Sequence, residues 1–453
     1  MGQQPRTLDP QASPLAYFGA ELRAWRSRRG LSQAQLGQLV HVSGDLLGKV
    51  EKAQRRPLPD LVRRLDTALG AQGQLARIAE SLHSGGRAGN DPGGGVRAQV
   101  RGEPPQPARH AARRTSQDRP RAVTEGVVMA AARAWLGDAT TTTAVQRSFA
   151  DPGDPNDPAI SLLRDRVRQL RRMDDTRGGP TVLDWTLHEL RWAQELNRRT
   201  GMSSPRLNGV VGELAQLGGW LACDAGNHAR AENLWMLSLG ASRAARDPRL
   251  GAVVLSCLSY QALWTDRPRH ALDLIEVARV GARGMPGGAF QALLASREAR
   301  VQARLGRRAR CEQAIEDARS AFARRTEDAD PDWVYWVGEA VLSADAGRAH
   351  LDVGLPKDAV KDLTRGLQLF GSSQPRNRAL HMTSLAEALF KAGELEGATQ
   401  ATEGAIDVVL EKEGAVESHR ITERLEGLVK SFAGIDSSAA RQTTDRVRTV
   451  LAA

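Results

Sequence analysis

Between positions 16 and 82, apolar residues recur at helical spacing in short bursts separated by polar turns. Phe18, Leu22 and Trp25 mark one helix, ending near Gly30. Leu36 and Leu39 mark a second, and both are expected to face the core. Val42, Leu46, Leu47 and Val50 mark a third, with Leu46 and Val50 pointing inward. Leu58, Leu61, Leu65 and Leu69 continue as a fourth helix stopped by Gly70, and Leu75, Ile78 and Leu82 give a fifth. This rhythm predicts a compact all-α domain over 16–83. Before it, residues 1–15 are polar and proline-rich, an expected flexible arm. After it, Gly85-Gly86, Gly93-Gly94-Gly95 and Pro104-Pro105 interrupt a stretch too poor in apolar surface to offset the entropy of ordering. Residues 84–120 are therefore read as a basic Gly/Pro-rich linker. Residues 121–137 predict one helix, followed by a Thr-rich and Asp/Pro-rich loop through Asp157.

From about residue 159 to the end, helix follows helix, and a repeat emerges. A turn residue precedes a small residue by five positions in Gly226/Ala231, Asp266/Ala271, Gly306/Cys311, Gly354/Ala359 and Gly393/Ala398. Aliphatic residues follow four positions later at Ile275, Ile315 and Leu363, with small residues at Ala278, Ala318 and Gly366. The logic is a tight turn between antiparallel helices, then a small side chain where they approach most closely. One hairpin cannot bury its own face, so a stacked α-solenoid is predicted. The pattern resembles tetratricopeptide repeats, with a longer and uneven period; Gly219 beside Trp220, and Gly347, are the best survivors of that family's first helix. The fold class expected is all-α: a five-helix N-terminal domain plus a C-terminal solenoid within 121–453.

Charge divides the chain. The formal net charge is +10, and nearly all the excess lies in the first 120 residues. Such asymmetry suggests a polyanion partner for one end. Arginine greatly outnumbers lysine, which reads as a GC-rich genome, as in actinobacteria. Cys223, Cys257 and Cys311 are far apart and form no CxxC pair, which fits a reducing, cytoplasmic setting. No early apolar run resembles a signal peptide, and no stretch could span a bilayer, so no membrane partner is expected.

The second and third predicted helices carry the motif. Leu31-Ser32-Gln33 opens one, with Ser32 as N-cap; Val40-His41-Val42 makes a tight turn; Ser43 can cap the next. Gly44, Asp45, Gly48, Lys49 and Lys52 are placed on its outer surface. Two short helices joined this way form a helix-turn-helix. The run FGAELRAWRSRRGLSQAQLGQLVHVSGDLLGKVEKAQRRPLPDLVRRLDTALG resembles the Cro/lambda-repressor-type domain of the XRE family of transcriptional regulators. Its hallmarks are Arg23 and Arg28, the LSQ triplet, VSxxLLxKVEKAQRRP and the leucine-rich fourth helix. The resemblance implies that Gln33, at the start of its helix, holds a phosphate. It also implies that Gly44, Asp45 and Lys49 lie at the base edges of operator DNA, with Ser43 beside them in the DNA-binding surface and Lys52, Arg55 and Arg56 on the backbone. Gly44 has no group to read with, and Asp45 can accept only from cytosine N4, so Lys49 is the best guanine contact.

Other chemistry finds no pattern. His188-Glu189 lacks a second histidine four residues on, no GxxxxGK[ST] or GxSxG occurs, and no metal, cofactor or catalytic role is expected. Trp185 and Trp192, and Trp333 and Trp336, are spaced to share helix faces; they read first as solenoid core. A sharper reading places Trp185 and Trp192, with Arg191, Arg198, Asn208 and Asn233, on an effector-binding groove. The architecture resembles peptide-receptor regulators of quorum sensing and actinobacterial regulators of antibiotic production and differentiation. The expected protein is a DNA-binding regulator whose repeat domain makes a homodimer, or senses a peptide, small molecule or protein. The alternative is a repeat scaffold with auxiliary or no DNA binding.

Overall fold

The computed structural model describes residues 14–71, 75, 78–79, 122–145, 158–176, 179–199, 204–326, 329–370, 374–410 and 418–452. The expected arm (apart from its last two residues), the basic linker, Leu82 and the Asp/Pro-rich stretch lie outside these. Among the described residues there are nineteen α-helices and no strand, and no helix is long and apolar enough to cross a membrane. The chain divides into two compact units, Met1–Asp118 and Arg119–Ala453.

The first unit holds α1 (Pro14–Arg28), α2 (Gln33–Leu39), α3 (Gly44–Glu51) and α4 (Pro59–Leu69). Phe18, Leu22, Leu36, Val40, Leu47, Val50, Leu65, Leu69 and Leu75 are wholly buried. Two core expectations fail. Leu39 is 57% exposed, and Val40, four residues after Leu36 and so on its helical face, fills the core instead. Leu46 is only half-buried; Leu47, three residues before Val50, is the inward residue. Gly70 does stop α4, in the left-handed conformation at φ 62° that glycine adopts without a Cβ penalty.

The second unit opens with α5 (Glu125–Val145), followed by seven helical hairpins. These are α6 (Pro158–Thr176) with α7 (Gly179–Arg199), α8 (Pro205–Asp224) with α9 (His228–Ala244), and α10 (Pro248–Trp264) with α11 (Pro268–Gly281). Then come α12 (Gly288–Arg304) with α13 (Arg308–Ala323), α14 (Glu339–Asp352) with α15 (Pro356–Leu369), and α16 (Pro375–Lys391) with α17 (Leu395–Leu410). Last are α18 (His419–Phe432) and α19 (Ser438–Ala452). The Thr-rich segment expected to be a loop continues α5; Thr140 returns its hydroxyl proton to the Leu136 carbonyl at 3.0 Å, a bond compatible with the helix. Trp135 of α5 is 1% exposed and lies against Gly251 and Gly281, where any Cβ would collide with the indole.

The repeat logic is realised residue by residue. Gly226, Asp266, Gly306, Gly354 and Gly393 all have positive φ, at 74°, 57°, 70°, 78° and 85°. Ala231, Ala271, Cys311, Ala359 and Ala398 are all fully buried. Gly347 shows why small residues are required: an added Cβ would sit 2.7 Å from Leu363 Cγ and 2.9 Å from the Ala359 carbonyl. The one long spacing, between Cys311 and Ala359, is taken up by a connection that includes a 3-10 turn, Asp332–Val334. That connection docks back: Asp330 accepts from the backbone N–H of Ala289 and Phe290 at 3.0 and 2.9 Å, capping α12. It also corrects the expected helix face for Trp333 and Trp336. Trp333 is buried edge-on against Phe290, and Trp336 lies past the turn.

Early and late hairpins meet through a buried ionic seam. Arg376 of α16 pairs with Asp174 of α6 and lies 3.3 Å from Asp224 at the end of α8. Asp224 also accepts from Arg420 Nε at 2.6 Å and from Ser418 Oγ at 2.8 Å. Burial alone would raise the Asp224 carboxyl, but Arg420 and Arg376 hold it below its ordinary range. Burial pushes the Cys223 thiol up to about 12 and that of Cys311 to about 11, as expected for packed, unreactive cysteines.

Removing one member of a buried pair strands the other charge, so Arg376→Met is expected to destabilise the second unit by roughly 3–5 kcal/mol in denaturant unfolding. Asp266 occupies the left-handed turn position that glycine takes at Gly226, Gly306, Gly354 and Gly393. Its replacement, Asp266→Gly, is expected to raise stability by about 0.5–1 kcal/mol despite loss of the exposed pair with Arg304.

Candidate nucleic-acid interface

Local capping builds the helix-turn-helix. Ser32 accepts from the Gln35 N–H at 3.1 Å while the Gln35 side chain accepts from the Ser32 N–H at 2.8 Å, a reciprocal capping box at the start of α2. His41, at φ 55°, turns the chain, and Arg64 of α4 donates to the Val40 carbonyl at 2.7 Å to hold that turn. Ser43 caps α3 by accepting from the Leu46 N–H at 3.1 Å. Beyond Glu51 the helix ends at Lys52, with Ala53 left-handed at φ 57°.

One buried carboxylate fixes the three helices together. Glu51, fully buried, accepts from Arg26 Nε at 2.5 Å, from Arg26 Nη2 at 3.1 Å and from Gln33 Nε2 at 2.7 Å. Arg23 adds a contact at 3.7 Å and donates to the Glu51 carbonyl at 3.3 Å. Gln33, expected to hold a phosphate, therefore has its side chain turned inward. It lies over Gly48, which is buried and not on the outer surface as expected: a Cβ there would meet Gln33 Oε1 at 3.1 Å. Nothing local in the sequence singles out Arg26, because its partner lies 25 residues away. Arg28, taken as a hallmark, instead places its guanidinium over Trp25, 4.5 Å from the ring.

Gly44 has a packing reason. A Cβ at that position would lie 3.1 Å from the Cα and N of Ala34, so the start of α3 meets the backbone of α2 there. Asp45 is exposed and pairs with Lys49 one turn later at 2.8 Å, and that hydrogen bond lowers its carboxyl below the usual range. Lys49, expected as the guanine contact, is thus paired within its own helix. Lys52, Arg55 and Arg56 are exposed and form no ion pair among the described residues. They extend from the end of α3 into the loop before α4.

The expected effector groove does not assemble. Trp185 is buried within α7, while Trp192 is 38% exposed and Arg191 points to solvent. Arg198 pairs with Glu195 on its own helix. Asn208 is buried, accepting from Asn197 at 3.0 Å and donating to the Ser204 carbonyl at 3.1 Å. Asn233 bonds back to the Ala229 carbonyl at 2.7 Å. These amides are spent on neighbouring helix termini and backbone, and no common surface gathers them.

Residues 18–78 match the family described as a helix-turn-helix domain. No curated protein matches the chain. Among solved structures, it is similar to BtubC (BKLC) from P. vanneervenii at 19% identity, over 51% of this chain and 90% of that one, with a TM-score of 0.37.

Since Glu51 joins α1, α2 and α3, Glu51→Ala is expected to leave Arg26 uncompensated. Thermal and denaturant unfolding of the first unit should show a loss of roughly 3–5 kcal/mol, with the helical signal of the second unit retained.

Proposed function

We propose that the chain is a transcriptional regulator whose helix-turn-helix binds operator DNA, with two copies acting on two half-sites. In this reading the helical-repeat unit, tetratricopeptide-like in its turn and small-residue pattern, provides dimerisation or receives an effector. The observation that carries it is the set of solvated cations on and just past α3: Lys49, Lys52, Arg55 and Arg56, beside a helix anchored from beneath by Glu51. Three of these make no ion pair among the described residues and face solvent, where phosphates of a polyanion can reach them. Base reading falls to Lys49 and Asp45, which must first give up each other. Affinity in this arrangement comes chiefly from phosphates, and selectivity from few direct contacts plus DNA shape. No catalytic role is assigned.

Gel-shift titration of the full chain against its own promoter tests the reading. Arg55→Ala and Arg56→Ala should each weaken binding to all sequences alike and reduce the salt slope by about 1. Lys49→Ala should relax sequence preference, by about 1–3 kcal/mol at one position of each half-site. Asp45→Ala, which releases Lys49, should tighten binding. Sequence-independent binding that none of these variants alters would favour the scaffold reading.

A further inference from the structure

The first helices of all seven hairpins contribute to one recess in the repeat unit. The seam of Arg376, Asp174, Asp224 and Arg420 forms part of its wall, and there the charges are matched by direct hydrogen bonds. A second cluster in the same recess is not matched. Arg297 on α12 and Arg348 on α14 are 7% and 4% exposed, and Asp345 on α14 is the carboxylate they share. Their guanidinium nitrogens lie 3.7 and 3.6 Å from Asp345, which is ion-pair range but beyond a hydrogen bond of ordinary length. Asp345 instead accepts from Ser296 Oγ at 3.0 Å. Among the described residues neither guanidinium makes a hydrogen bond to the protein, and Arg348 Nε is buried without a partner.

Two buried cations therefore share one anion, with most of their N–H donors unspent. The neighbouring carboxylate of Asp352 does not relieve this, because Arg300 occupies it at 3.0 Å. His381 leaves the balance of charge unchanged: burial and the nearby Arg348 push its imidazole down to about 3, so it is neutral, with Nδ1 unpartnered. The positive potential is visible in two other groups. Burial would raise both, yet Arg348, Arg297 and Arg300 draw the Asp345 carboxyl down to about 2, and Arg420, Arg348 and Arg297 draw the Tyr260 phenol down to about 7. Arg297 also lies 4.5 Å from the Tyr260 ring and 5.8 Å from Trp220, which fixes its plane.

Size limits the occupant. The free volume is about 70 Å³, several times the ~10–15 Å³ that one water requires but far below the ~300–1,000 Å³ of drug-sized sites. A peptide does not fit that space; a group of a few heavy atoms does. A planar or tetrahedral oxyanion presents the acceptors that two forked guanidinium groups call for.

We propose that this recess binds a small oxyanion, a carboxylate or phosphate group bridging Arg297 and Arg348 beside Trp220 and Tyr260. The site deepens the effector reading given above, yet it uses none of the residues of α3, so DNA binding measured in the same preparations fails or survives independently. The test is isothermal titration of the full chain with sodium phosphate and with sodium succinate, at fixed ionic strength against sodium chloride, with tryptophan fluorescence recorded alongside. Saturable binding of one or both oxyanions is expected, and the preferred probe separates a phosphate from a carboxylate ligand. Arg348→Met should weaken it at least tenfold. Asp345→Asn, which removes the competing anion, should strengthen it several-fold, a reversal that a general loss of structure does not produce. Arg297→Lys, keeping charge but losing the fork, should fall between wild type and Arg348→Met. Absence of saturable binding by the wild-type chain, or binding that is the same in Arg348→Met and Asp345→Asn, overturns the proposal.

Discussion

An ionised carboxylate taken out of water is tolerable only when cations and hydrogen-bond donors surround it. Both units are organised on that constraint. In the first, Glu51 gathers Arg26, Arg23 and Gln33, and so decides how α3 lies against α1 and α2. In the second, Asp224 gathers Arg376, Arg420 and Ser418, joining hairpins that are far apart in sequence. Apolar packing supplies stability in each unit, but it is non-directional. The fork of a guanidinium against a carboxylate fixes orientation as well as proximity. Where the surface of α3 must meet another molecule in a defined pose, that distinction matters more than the energy of any single pair.

The same accounting explains why the recess stands out from the seam beside it. Arg376 and Arg420 have Asp174 and Asp224 at hydrogen-bond distance. Among the described residues Arg297 and Arg348 share Asp345, at longer range, and Asp345 is already engaged by Ser296. A fold selected purely for stability would place apolar residues there, since replacing buried ion clusters by well-packed hydrophobic groups is often neutral or stabilising. An excess of buried cations is stability forgone, which is what a binding site for an anion costs.

How much of this was legible in the sequence depended on range. Turn and small-residue pairs such as Gly306 with Cys311 are local, and their chemistry admits few alternatives: a left-handed turn, then a side chain small enough for close helices. They were readable without a partner in view. Helix caps at Ser32 and Ser43 were readable for the same reason. The choice between Leu39 and Val40, or Leu46 and Leu47, was not, because short helices give too few turns to fix the phase of a stripe. Least legible were the ionic clusters. Nothing in the neighbourhood of Arg376 points to Asp174, 202 residues earlier, and arginine in this chain is too common for any one to be singled out. The effector candidates failed for that reason as well. Tryptophan spacing reports on a single helix, whereas the recess draws on seven helices at once.

Gly44 and Asp45 illustrate how packing changes the meaning of a residue. In sequence, a glycine and an acid at the start of a DNA-facing helix read as lost contacts. In the structure Gly44 is the point where α3 passes the backbone of Ala34, so a side chain there would push the helix away from its support. Asp45 then becomes the only polar group in the first turn of α3, and it closes on Lys49. Such a solvent-exposed pair is worth little in itself, so DNA can displace it readily. What it changes is the unbound state: Lys49 is presented as half of a neutral pair rather than as a free cation. On the proposed reading, nonspecific attraction then rests with Lys52, Arg55 and Arg56. Lys49 joins only where a base edge offers more than Asp45 does, which separates the residues that hold DNA from the pair that discriminates.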